Sequence, residues 1–136
     1  MPLYFIHFSC HLDMATPAKA QGALELFRQC RAEDAFRAAP LVRGFEVSVV
    51  DAPPHATLWL HDDDGGNPDA LVAFVLRLAG EFDLVGHWGF QFARWCSYRE
   101  VESFGGGAWA LDLGARRIMA QTCTADWLDE ALKAPA

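Results

Sequence analysis

Val42-Arg-Gly-Phe-Glu-Val-Ser-Val-Val-Asp-Ala-Pro-Pro-His-Ala-Thr-Leu-Trp-Leu-His61 is the stretch on which the reading of the fold turns. Phe45, Val47 and Val49 point one way and Glu46 and Ser48 the other, the period of a half-buried strand. Ala56, Leu58 and Leu60 alternate in the same manner with Thr57, Trp59 and His61. Asp51-Ala-Pro-Pro54 supplies the turn residues between them. Antiparallel pairing with Val49 opposite Ala56, Val47 opposite Leu58 and Phe45 opposite Leu60 brings both apolar rows to one face. A hairpin with one buried face is expected.

Upstream, Leu3-Tyr-Phe-Ile-His-Phe8 is a nearly continuous apolar run that reads as a buried strand. Thr16-Pro17 is a cap followed by proline at the first helical position. Ala20, Ala23, Leu24 and Phe27 then recur at helical spacing, which predicts a helix from 17 to about 30 with an irregular continuation toward Ala38. Pro40 stops it. Downstream, Asn67-Pro68 repeats the cap signature, and Leu71, Phe74, Val75, Leu78 and Phe82 trace one helical face. From Leu84 to Phe92 the chain alternates again. Trp88, Phe90 and Phe92 share one face, assigned to the core, and His87, Gly89 and Gln91 share the other.

A loop is expected from about Arg94 to Gly106. Residues 107–113 and 116–122 then form a second hairpin across Gly114-Ala115, a two-residue turn of type II′. Leu111 faces Ile118 and Asp112 faces Arg117 in that register. Thr124 caps a last short helix carrying Trp127, Leu128, Ala131 and Leu132. The order predicts an α+β fold: a ferredoxin-like βαββαβ core with an added C-terminal hairpin and short helix, one mostly antiparallel sheet, and helices on one face. Residues 1–136 form a single domain.

The composition narrows the function classes. Hydrophobic residues make up 52% and charged residues 21%, enough apolar surface for a packed core. The net charge of −7 opposes a phosphate backbone, so nucleic acid is not an expected partner. No apolar run approaches the roughly 20 residues of a membrane span, and the N-terminus lacks a basic leader. A cytoplasmic, non-membrane protein is expected. Cys10, Cys30, Cys96 and Cys123 are widely spaced with no C-x-x-C pair, which favours free thiols over a zinc or redox motif.

Chemistry concentrates between Trp88 and Trp109. Gly105, Gly106 and Gly107 allow positive φ or a close backbone approach and can form an anion nest. Arg94 and Arg99 can fork a carboxylate or phosphate, with Ser103 and Gln91 as further polar groups. The candidate ligand-binding set is therefore Arg94, Arg99, Ser103, Gly105, Gly106, Gly107 and Gln91, for a small anionic ligand. The bland alternative is a tight strand entry with surface ion pairs. No P-loop lysine follows the glycines, and a strand rather than a helix comes next. Cys96 beside Arg94, with His87 on the preceding strand, is the candidate for a nucleophile and base. Buried thiol and surface histidine are the ordinary reading of that pair. His61-Asp62-Asp63-Asp64 could ligate a divalent cation, but the ligand spacing of an EF-hand is missing. No metal or cofactor is expected.

Trp88-Gly-Phe-Gln-Phe-Ala93, Cys96-Ser97, Arg99 and Ser103-Phe-Gly-Gly-Gly-Ala108 together resemble a motif of small uncharacterised bacterial, phage and plasmid proteins. The resemblance implies an accessory or mobile-element origin and brings no activity with it. The function remains unknown at this level. The reading leans to a non-enzymatic binding or interaction module, with a protein partner or a second copy of itself through the open sheet face and the 94–107 loop. The alternative is a small enzyme or ligand-binding protein built on that loop.

Overall fold

The structure is a computed structural model that describes residues 4–63, 65–97 and 104–135. Among the described residues ten elements follow in order: β1 (Tyr4–His7), β2 (Ser9–Asp13), α1 (Pro17–Asp34), β3 (Phe45–Val49), β4 (Thr57–Asp62), α2 (Pro68–Phe82), β5 (His87–Cys96), β6 (Gly105–Asp112), β7 (Arg117–Cys123) and α3 (Thr124–Lys133). The class is α+β, and all five pairings between these strands are antiparallel.

The strands form two sheets where one was expected, ordered β1-β5-β6-β7 and β2-β4-β3. The division falls at Phe8, the one residue between β1 and β2. Its N–H donates to Asp62 Oδ1 at 2.9 Å, and its carbonyl accepts the Asp62 N–H at 3.1 Å. Asp62 Oδ2 lies 2.8 Å from His7 Nδ1. Asp62 thus holds the corner where the chain leaves one sheet for the other. Sequence periodicity does not mark Ser9–Asp13 as a strand, because Leu12 is its one fully buried side chain.

The β3–β4 hairpin keeps the expected face in a different register. Val49 pairs with Leu58, Val47 with Leu60 and Phe45 with Asp62. The turn is longer than the alternation implies: the Val50 N–H donates to the Thr57 carbonyl, so residues 51–56 lie outside the ladder. A slip of two residues preserves strand parity, so Phe45, Leu58 and Leu60 still reach the core. β3 starts at Phe45 rather than Val42 because Gly44 has φ +93°. An added Cβ there would also sit 2.7 Å from Asn67 Cβ.

Both helices start as their caps predict. The Thr16 hydroxyl accepts the Lys19 N–H, and Asn67 Oδ1 accepts the Ala70 N–H at 3.2 Å. α1 is regular to Asp34, beyond the expected end. The Asp34 carboxylate accepts the N–H groups of Leu41 and Val42, which fixes the segment around Pro40. Phe27 of α1, Phe45 of β3 and Phe74 of α2 meet pairwise with ring centroids 5.4–5.7 Å apart. Arg31 spans this joint, donating to the Phe45 carbonyl at 2.9 Å with its guanidinium 5.0 Å from the Phe27 ring. Replacing the α2 cap, Asn67→Ala, is expected to cost about 1 kcal/mol in urea unfolding, and Asn67→Gly only a few tenths.

In the four-stranded sheet, Phe90 is buried and Trp88 and Phe92 pack half-buried against the core, while His87, Gly89 and Gln91 are exposed. The Trp88 indole donates to the His11 carbonyl at 2.8 Å and ties β5 to β2. β5 runs to Cys96 and β6 starts at Gly105, so Arg94 and the three glycines are strand residues rather than a loop. Leu111 pairs with Ile118 and Asp112 with Arg117, as the alternation predicts. Ala110 pairs with Ala120, which leaves Met119 as an extra, bulged residue. The turn is not of type II′: positive φ falls on Arg116, at 57°, and not on Gly114. The cap of α3 is Cys123, whose sulfur accepts the Asp126 N–H. Thr124 instead donates its hydroxyl to the Gly106 carbonyl.

Candidate functional site

Strand parity assembles one concave site on the helix-bearing face of β1-β5-β6-β7. Ile6 pairs with Arg94, and Arg94 with Gly105, so the three form one row across the sheet. Phe92, Gly107 and Cys123 form the next row, and Phe90, Trp109 and Gln121 the one after. Phe90 and Trp109 are buried, but toward Arg94 the face opens into a cavity of about 390 Å³. Its floor is apolar, made by Ile6, Phe92 and Trp109, with Gln121 and Cys123 beside them. The first turns of α2, through Pro68 and Asp69, and of α3, through Ala125 and Asp126, form its walls. Helix N-termini carry partial positive charge and amides without intrahelical acceptors.

Two features of the residues that line this cavity stand out electrostatically. The Trp109 side chain is 8% exposed, and its indole N–H is buried without a hydrogen-bond acceptor. Such a group costs about 1–3 kcal/mol when left unpaired. Arg94, Asp69 and Asp126 are all exposed at the rim, and no ion pair joins them.

The glycines serve this site by being small. A Cβ on Gly106 would collide with the Phe92 carbonyl, and one on Gly107 would meet the Thr122 carbonyl and lie 2.9 Å from the Phe92 ring. Gly105 and Gly106 line the cavity as bare backbone, and Gly107 gives Phe92 its place on the floor. None of the three has positive φ, so they build no anion nest.

The structure brings together Arg94, Gly105 and Gly106 of the sequence-derived candidates. Gln91 and His87 project from the opposite face of β5. Cys96 is 3% exposed at the far end of that strand from His87, so the two do not meet. Arg99 and Ser103 lie outside the described residues. Gln121 and Cys123 of β7, Asp69 of α2 and Asp126 of α3 lie outside the Trp88–Trp109 segment and carry no motif signal, whereas Trp109 falls within it. Asp62 and His61 of the acidic turn are engaged elsewhere: Asp62 at the Phe8 corner, and His61 stacked on Trp59 with centroids 3.9 Å apart. Asp64 lies outside the described residues. Among the described residues no cluster of three His, Cys, Asp or Glu side chains could hold a metal ion. Burial pushes the Cys10 thiol up to about 12, and the thiol donates to the Leu60 carbonyl. It stays protonated at neutral pH, which makes it a core group rather than a nucleophile.

No protein-family model, curated protein or solved structure matches the chain. No helix among the described residues is long and apolar enough to cross a membrane.

Proposed function

We propose that this chain is a non-enzymatic interaction module that works as a homodimer through β7 and α3. The observation that carries the reading is α3 itself: a ten-residue amphipathic helix with no buried residue. Trp127, Leu128 and Leu132 are 65%, 52% and 77% exposed. Phe104, Leu128 and Leu132 line one groove beside Arg94. Leading into the helix, β7 is the edge of its sheet among the described residues, with Ile118 and Met119 exposed. Exposed apolar side chains on the last strand and helix of a small domain fit a partner.

Charge favours a second copy as that partner. Arg117 opens β7, Arg116 just before it pairs with Asp83 of its own chain, and Asp126, Asp129 (paired to Lys133) and Glu130 follow the strand's end in α3. Two-fold antiparallel pairing of β7 with itself sets the arginines of each copy beside the acidic turn of the other. The fold supports a further reading. If β1 and β2 are taken as one strand bent at Phe8, it would lie between β5 and β4 with β3 outermost, an order that supports reading the chain as a ferredoxin-like βαββαβ core extended by β6, β7 and α3. The free thiols at Cys10, Cys30, Cys96 and Cys123 fit a reducing cytoplasm. The motif between Trp88 and Ala108 fits a small bacterial accessory or mobile-element protein.

Sedimentation velocity on the full chain tests the dimer. A dimer is expected at micromolar concentration, and Leu128→Glu combined with Leu132→Glu is expected to yield monomers with unchanged far-UV circular dichroism, because both side chains are exposed. A monomeric parent protein at that concentration would refute the reading.

A further inference from the structure

We infer that the free edge of β3, with the groove between it and α1, binds an extended peptide that adds as an antiparallel strand and turns an acidic side chain toward α1. β3 is the outer strand of the three-stranded sheet among the described residues. The Val50 N–H donates to the Thr57 carbonyl, which makes these two a hydrogen-bonded pair of the antiparallel ladder. Such pairs alternate along the strands. Ser48 and Glu46 therefore also turn their backbone groups to β4, while Val49, Val47 and Phe45 turn theirs outward. The Phe45 carbonyl bears out this parity, since Arg31 reaches it from outside the sheet. Arg31 also pairs with Glu46 and so closes the edge at that end. Among the described residues no group outside the sheet bonds the backbone of Val47 or Val49. The N–H and carbonyl of each stay open to an added strand.

The groove sets the side chains. Residues of the added strand that stand opposite Val47 and Val49 share their face, so their side chains point toward α1. There a groove of about 460 Å³ is lined by Leu24, Phe27 and Arg28 of α1 and by Val47. Leu24 and Phe27 offer apolar surface. Arg28 is exposed and, among the described residues, makes no ion pair, whereas Arg31 and Glu46 neutralise each other. The groove thus keeps an uncompensated positive charge within a chain of net charge −7. Arg28 lies between Leu24 and Arg31 along α1, beside the ladder and not beyond its end, so it meets a side-chain carboxylate rather than a peptide terminus. Apolar residues two positions to either side of the acidic one fall on the same face. A second copy of β3 fits less well, because two-fold pairing sets both α1 helices, each with its Arg28, on one side of the joined sheet. The edge belongs to the other sheet from β7, so binding here goes beyond the proposed dimer and does not depend on it.

The probe is an N-acetylated, C-amidated heptapeptide, Thr-Val-Thr-Glu-Thr-Val-Thr. It reads the same in both directions and sets Val, Glu and Val on one face. Titration into the full chain is expected to show saturable binding, with amide hydrogen exchange slowed at Val47 and Val49. Gln in place of the probe's Glu is expected to weaken binding about threefold to fivefold, the size of an exposed ion pair. Arg28→Gln is expected to abolish that difference, and its exposed side chain leaves the fold intact. N-methylation of the probe's Glu, whose N–H faces β3, is expected to weaken binding about tenfold or more. N-methylation of a neighbouring Thr, whose N–H faces away, is expected to leave it unchanged. Absence of saturable binding would overturn the proposal. So would equal affinity of the parent protein for the Glu and Gln probes, or protection that rises along β7 instead. Concentration-dependent protection of Val47 and Val49 without peptide would also overturn it, by showing a second copy on that edge.

Discussion

Replacing Phe45 with alanine is expected to cost about 3–5 kcal/mol of folding stability. Phe45 is fully buried and touches Phe27 and Phe74, so it joins β3 to both long helices. Removing the ring loses its own transfer energy and leaves a void that α1, α2 and β3 would have to collapse together to fill. Arg31 opposes that collapse by clamping the Phe45 carbonyl from above. Natural domains hold about 5–15 kcal/mol in total, so the variant should be largely unfolded in modest urea. The urea midpoint measures the effect. A loss below 1 kcal/mol would mean that the three rings are not the joint between the layers.

Asp62→Ala should be the costliest change among the polar residues, at about 2–3 kcal/mol. The carboxylate accepts the N–H of Phe8, a residue only 4% exposed, and reaches His7 with its other oxygen. Alanine leaves the Phe8 amide without that acceptor at the corner between the sheets. Asp62→Asn keeps one acceptor oxygen and should recover about 1 kcal/mol of the loss. Amide hydrogen exchange adds a local readout: protection should fall first along residues 5–13. Uniform loss of protection would show that Asp62 acts on global stability and not on the corner.

These two residues also show how far the sequence could be read. Phe45 declares its face by alternating with Glu46, and a slip of two residues in the hairpin cannot change that face, so the core was legible while the register was not. At Leu111 and Ile118 the register was legible as well, because only a short turn separates the strands. Asp62 carries no such signal. It reads as part of an acidic turn, and its partners are Phe8 and His7, far away in the chain. The division of the sheet was hidden for the same reason. The candidate site follows suit. Arg94, Gly105 and Gly106 are close in sequence and could be singled out, but their glycines look like a loop because a residue without a side chain shows no alternation. Asp69, Gln121 and Asp126 join them only through β5–β6–β7 pairing and the docking of two helices.

The corner at Phe8 has a consequence for the making of the protein. Its two arms are completed at different times on the ribosome. β2 can pair as soon as β4 has emerged, but β1 waits for β5, since Phe5 pairs with Trp95. In the interval a nascent chain displays the strand Tyr4–His7 without its β5 partner, tied to the formed hairpin only through the Ile6–Gly65 bridge, the Gly66 N–H bond to the Ile6 carbonyl and the His7–Asp62 contact. Pairings this distant in the chain are slow to close, and an open edge of this kind is where one unfinished chain recruits another.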